Sequence, residues 1–296
     1  MISASSASLR CRNRSKLFTA ETQSTPRMAQ RTKRSMPVIK PTLAIVDWGI
    51  GGISIYKLLS SSNVKVPVIY FSDTGVTPYG KMTREELVSR LNLVIDFLAS
   101  EGATHLVIGC NAASTVIPFL ETRKLKVAGV IESAVSMTSR LRPRKLALIG
   151  GRRTVLSGVY KRAFADRGIN VVQRIAQPLS ASIESGDVSS AKLRKHCRNI
   201  LGPIRNCSHL LLACTHYPAI VPVLKEFVSE DTVIIDPAGE LIGKVKRWNL
   251  NDESRNGTRA GSVSDRFLTS GDPEKMKAAA FRAFGVKIAA IETVGL

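Results

Sequence analysis

From residue 43 onward the chain alternates short apolar runs with longer amphipathic stretches. Residues 43–46, 67–71, 105–108, 126–131, 145–149, 170–172, 209–212 and 232–235 have the length and branched-aliphatic content of strands. Between them, 53–60, 84–100, 113–120, 156–166, 191–204 and 218–227 place apolar residues at helical spacing. This rhythm predicts an α/β fold with mostly parallel central sheets and helices on both faces. Such sheets bind ligands at the carboxyl ends of their strands.

The pattern also repeats. His105-Leu-Val-Ile-Gly-Cys110 and His209-Leu-Leu-Leu-Ala-Cys214 are one strand written twice, at an offset of 104. Each cysteine is followed eight residues later by a proline, Pro118 and Pro222, and then by Leu120 and Leu224. Leu43-Ala-Ile-Val46 and Leu146-Ala-Leu-Ile149 match at an offset of 103. Two separated motifs at a near-constant offset indicate related half-chains. We therefore expect two pseudo-symmetric domains, 41–135 plus 237–296 and 136–236, with the active site in the cleft between them.

Residues 1–40 break from this pattern. They hold nine basic side chains and one acid, are rich in Ser and Thr, and have no hydrophobic period, which predicts disorder. No apolar signal region is present, although the composition is like that of an organelle transit peptide. A solvated tail, or translation starting at Met28 or Met36, is the preferred explanation of the segment. Of the formal charge of +20, the extension carries +8, leaving +12 for the body. That excess steers anionic partners, but no zinc-finger spacing, aromatic RNA-binding pattern or basic helix opening a heptad repeat accompanies it. Neither a nucleic-acid nor a membrane partner is expected, and the odd cysteine count of five suits a reducing compartment.

Chemistry concentrates at the duplicated cysteines. Each ends an apolar strand where a helix is expected to start, and a helix N-terminus favours a thiolate. Facing each other across a cleft, two thiols can invert a carbon centre: one removes a proton and the other returns one to the opposite face. The pair holds one proton between them. Cys207, His209, Cys214 and His216 invite a zinc reading, but His209 and Cys214 are about 16 Å apart along a strand. Zinc ligands must converge to about 2.0–2.3 Å from the metal. His105 and His209 are read as strand-boundary residues, and no metal or cofactor is expected. The loop Asp47-Trp48-Gly49-Ile50-Gly51-Gly52 could offer backbone amides to a substrate carboxylate, or be a simple tight turn.

These motifs together resemble glutamate racemase. The resemblance rests on the Asp47 loop, Asp73-Thr-Gly-Val-Thr-Pro-Tyr-Gly80, Cys110-Asn-Ala-Ala-Ser114, Cys214-Thr-His-Tyr-Pro218 and Thr269-Ser-Gly-Asp-Pro273. It spans the chain from residue 43 to about 285. It implies cofactor-independent interconversion of L- and D-glutamate in the cytoplasm, supplying D-glutamate for peptidoglycan and thus for the cell wall and cell shape. By resemblance, Cys110 acts on the D enantiomer and Cys214 on the L enantiomer, with Asp47 assisting the first thiol and His216 the second. Tyr79, Gly80, Asn111 and Thr215 match substrate-holding positions, and Glu132 resembles a supporting carboxylate. The partner implied is a small amino acid, and a homodimer is compatible with it.

Two positions depart from the family. Trp48 stands where a serine is usual and Ala112 where a threonine is usual. Each removes a hydroxyl, and hydrogen bonds to charged groups contribute about 1.5–3 kcal/mol. Aspartate or another amino acid is therefore the alternative substrate. A third reading is a catalytically weak homologue that binds an anionic ligand or a partner protein.

Overall fold

A computed structural model describes residues 40–250 and 264–296. The expectation of disorder before residue 40 lies outside the described residues.

The first half runs β1 (Leu43–Asp47), α1 (Ile53–Ser60), β2 (Val68–Ser72), α2 (Arg84–Ser100), β3 (His105–Ile108), α3 (Asn111–Ser114), β4 (Lys126–Gly129) and α4 (Val130–Arg140). The second runs β5 (Leu146–Gly150), α5 (Arg152–Leu156), α6 (Val159–Ala165), β6 (Val171–Ile175), α7 (Gln177–Glu184), α8 (Ala191–Leu201), β7 (His209–Ala213), α9 (Val221–Lys225) and β8 (Val233–Ile235). The chain then returns through α10 (Ala238–Lys246), β9 (Arg266–Thr269), α11 (Pro273–Phe284) and β10 (Glu292–Thr293). No described helix is long and apolar enough to cross a membrane.

Among the described residues the strands form a six-stranded sheet, β10-β9-β2-β1-β3-β4, and a four-stranded sheet, β6-β5-β7-β8, parallel throughout. The α/β expectation holds, and the repeat is visible in the register. Leu43 pairs with Val68 and His105, whereas Leu146 pairs with Val171 and His209. Even the strand starts match. Thr104 Oγ1 bonds the Thr42 backbone and His105 Nδ1 (2.8 Å), and Ser208 Oγ bonds the Lys145 backbone and His209 Nδ1 (3.0 Å). The two histidines are boundary residues, as their positions predicted.

Continuous apolar sequence explains why β1 and β5 are central strands, since both faces of each must be covered. Leu43 and Ile45 belong to one core cluster and Ala44 and Val46 to another, as side-chain alternation requires. The cluster holding Leu43 and Ile45 also holds Ala147 and Ile149. One core therefore ties the two sheets together and aims the carboxyl ends of β1, β3, β5 and β7 at a common cleft.

Several local expectations change. The stretch 113–120 is not one helix: α3 ends at Ser114, and a 3-10 turn at Ile117–Phe119 contains Pro118, which cannot donate a helical hydrogen bond. The stretch 156–166 is broken by Gly158, which takes φ +68 between α5 and α6. The strand expected over 126–131 stops at Gly129, and α4 begins at once, putting Glu132 in a helical first turn.

Candidate active site

The carboxyl ends of both sheets enclose a cleft of about 380 Å³. Asp47 ends β1 and Trp48 follows it, Cys110 to Ala112 follow β3, and Cys214 to His216 follow β7. Tyr79, Gly80, Lys81 and Glu184 also line it. The duplicated cysteines thus reach one cavity from two sheets.

Cys110 is the N-cap residue of α3, where the nearby amides of Ala113 and Ala112 favour its thiolate. The expected thiolate-favouring helix start is nonetheless outweighed. Burial pushes the Cys110 thiol well above the usual cysteine range, and the neighbouring Asp47 charge pushes it further. Asp47 is itself buried, which raises its pKa; His216 and the hydrogen bonds from Thr215 and Trp48 pull it back. Those bonds run from Thr215 Oγ1 to Oδ2 and from the Trp48 amide to Oδ1, each at 2.7 Å.

Cys214 differs in its surroundings. It is followed by a 3-10 turn, Tyr217–Ile220, so the α-helix expected directly after it is absent. Its partner is His216, whose Nδ1 lies 3.6 Å from Cys214 Sγ. The other ring nitrogen, Nε2, meets Glu184 Oε2 at 2.6 Å. Burial works against a charged imidazole, but Cys214 and Glu184 together hold the His216 pKa well above its ordinary value.

Glu184 was missed in the sequence. It ends α7, a helix also missed, whose legible signals are Pro178 in its first turn and Leu179 and Ile183 four apart on its buried face. The glycine loop after β1 is built around this carboxylate. The Ile50 amide donates to Glu184 Oε2 at 3.0 Å, so this amide serves an internal anion. A Cβ on Gly49 would overlap the Glu184 carboxylate, and one on Gly51 would collide with Thr215 Oγ1 and His216.

Five expected positions need correction or detail. Glu132 is outside the cleft; its side chain is 78% exposed and paired with Lys244. Tyr79 lines the cleft with its ring, but its hydroxyl donates to Asp73 Oδ2 at 2.6 Å. Asp73 also pairs with Arg90 and accepts from Ser270, so the Thr269–Pro273 segment braces the loop while Asp272 caps α11. Trp48 does border the cleft, with its indole N–H satisfied by the Val76 carbonyl at 3.1 Å. Ala112 borders it too, and Asn111 accepts from Tyr160 while its amide nitrogen has no hydrogen-bond partner among the described residues.

Residues 55–244 match the family model described as Asp/Glu/Hydantoin racemase. The chain belongs to the Asp/Glu/hydantoin racemase family. A curated glutamate racemase from Desulforudis audaxviator is 30% identical over 258 residues, covering 83% of this chain and 94% of the relative. The structure of Thermus thermophilus glutamate racemase in complex with β-chloro-D-alanine is 26% identical, with a TM-score of 0.73 over 87% of this chain and 98% of that one. The Francisella tularensis glutamate racemase in complex with D-glutamate, 23% identical with a TM-score of 0.76 over the same shares, shows the common fold. In this racemase family member, both cysteines of the repeat lie in the cleft.

Proposed function

We propose that this protein is a glutamate racemase that moves the Cα proton between two thiols. One observation carries the reading: Cys110 and Cys214, at equivalent ends of β3 and β7, line the same cleft. The curated relatives named glutamate racemase support the substrate.

By resemblance, Cys214 is the base toward L-glutamate and Cys110 toward D-glutamate. For the L enantiomer, Cys214 as thiolate takes the Cα proton, leaving a planar carbanion. Cys110 gives its own proton to the opposite face, which leaves Cys110 as thiolate and Cys214 as thiol. The two states exchange one proton, so the apparent pKa values belong to the pair. His216, held protonated by Glu184, stands beside Cys214 during that exchange, and Asp47 stands beside Cys110. Burial that favours protonated Cys110 suits it to be the donor when L-glutamate is bound. The unpartnered Asn111 amide is a ready donor for a substrate carboxylate, with Thr215, Tyr79 and Gly80 shaping the site. On this reading the enzyme works in the cytoplasm and supplies D-glutamate for peptidoglycan.

A second reading, aspartate or another amino acid, is favoured by Trp48 and Ala112 in the cleft wall. Circular dichroism of separate L- and D-glutamate solutions, without added cofactor, tests the first. Both signals should decay to zero. Stable glutamate signals alongside decaying aspartate signals would support the second instead.

A further inference from the structure

A second cavity, of about 500 Å³, adjoins the catalytic cleft. Gly80 and Lys81 line both. The second cavity has three cations in its lining, Lys81, Arg152 and Arg153, and no acid. Arg153 is committed to structure: its Nε donates to Thr115 Oγ1 at 3.2 Å and its Nη1 to the Met82 carbonyl at 2.9 Å. The Lys81 amide in turn donates to the Pro78 carbonyl at 2.7 Å. The backbone is thus fixed on both sides of Lys81, whereas its ammonium has no carboxylate partner among the described residues. Arg152 is similar. Its amide donates to Gln177 Oε1 at 3.1 Å and its guanidinium has no acid partner there.

Cations of one sign gathered around a cavity focus a field that attracts anions. At two places in the cleft wall Trp48 and Ala112 present a ring and a methyl group, and among the described residues the wall's one ammonium is that of Lys81. A carboxylate taken out of water needs a partner or its binding fails.

We propose that Lys81 is a specificity-determining residue: from the junction of the two cavities its ammonium pairs with the distal carboxylate of the substrate, and Arg152 reinforces it. This inference rests on the racemase reading. It explains how a chain without the two family hydroxyls selects an acidic amino acid, and glutamine is then the discriminating competitor, having the same shape without the charge.

The test compares racemisation of glutamate and glutamine by the full-length wild type, Lys81→Met and Lys81→Arg. Met retains the unbranched stem without the charge. In Lys81→Met the KM for glutamate should rise about tenfold, the size of one charged hydrogen bond. The kcat should stay within about threefold, and kcat/KM for glutamine should change little. Lys81→Arg should recover most of the glutamate preference, and Arg152→Met should show a weaker loss of the same kind. Raising salt should raise the wild-type KM for glutamate and leave that of Lys81→Met nearly flat. An unchanged glutamate-to-glutamine ratio in Lys81→Met, in an active enzyme, would overturn the inference alone. A wild type that racemises neither amino acid would overturn the racemase reading and this inference with it.

Discussion

Thr215, in the loop after β7, donates its hydroxyl to Asp47 Oδ2 at the end of β1, so the two sheets are joined by a hydrogen bond at the wall of the cleft. The bond supports a carboxylate that burial strains toward protonation. Asp47→Asn should therefore trade activity for stability. The folded-state pKa of Asp47 is raised, so the folded protein binds this proton more tightly than the unfolded chain does. The stability contributed by the proton is complete below the unfolded value of about 3.9 and is lost as pH rises through the folded value. Asparagine does not ionise, so the Tm of the variant minus that of wild type should grow above pH 4, reaching about 2 °C or more at pH 8. A difference that shrinks with rising pH would contradict the assignment.

Glu184→Gln should lower activity by about a hundredfold, the scale of a displaced acid/base group. It removes one of the two partners that raise His216, so the His216 pKa should fall. The alkaline limb of the kcat/KM profile should move to lower pH. Because the two enantiomers are equal in energy, kcat/KM is the same in both directions at every pH, and either direction serves for the measurement. An unshifted limb would show that Glu184 does not hold the imidazole's charge.

Glu132→Gln is the contrasting case. The resemblance gives Glu132 a supporting role, but its side chain pairs with Lys244 at the surface, away from the cleft. Exposed ion pairs contribute little. Turnover should stay within about twofold and Tm within about 1 °C of wild type, and a tenfold loss of turnover would restore the role the sequence suggested.

The difference between Glu132 and Glu184 shows what the sequence makes legible. Cys110 and Cys214 could be found because they sit in a duplicated strand whose register the fold preserves. The roles of Asp47 and His216 come from the family resemblance of the segments that hold them. Glu184 reaches His216 only through tertiary packing, from a helix 32 residues away in the chain. The eight-residue α7 is too short to show a strong period. Glu132 was misplaced because an apolar Val130-Ile131 pair reads as strand continuation, whereas the chain turns into α4 directly after Gly129. The buried Asp73–Arg90 pair, which holds Tyr79, was likewise hidden by a separation of 17 residues.

Trp48 sits in the cleft wall and packs against the β1–β3 core, so it is both a boundary of the substrate space and part of the fold. Trp48→Ser with Ala112→Thr should restore two hydroxyls and raise the kcat/KM for glutamate relative to aspartate by about tenfold or more. The loss of the ring and of its bond to Val76 should cost about 2–3 kcal/mol of stability. An unchanged substrate preference would show that the tryptophan does not limit the site.

On the two-thiol mechanism Cys110 and Cys214 serve opposite faces of one carbon, and solvent-deuterium exchange at Cα tests this most directly. In D₂O, wild type should incorporate deuterium into glutamate with inversion from either enantiomer. Cys110→Ser and Cys214→Ser should each abolish inversion, because a serine hydroxyl is not a base at neutral pH without activation. Any exchange that remains should be confined to L-glutamate in Cys110→Ser and to D-glutamate in Cys214→Ser. Inversion at near wild-type rate in either variant would contradict the two-thiol account.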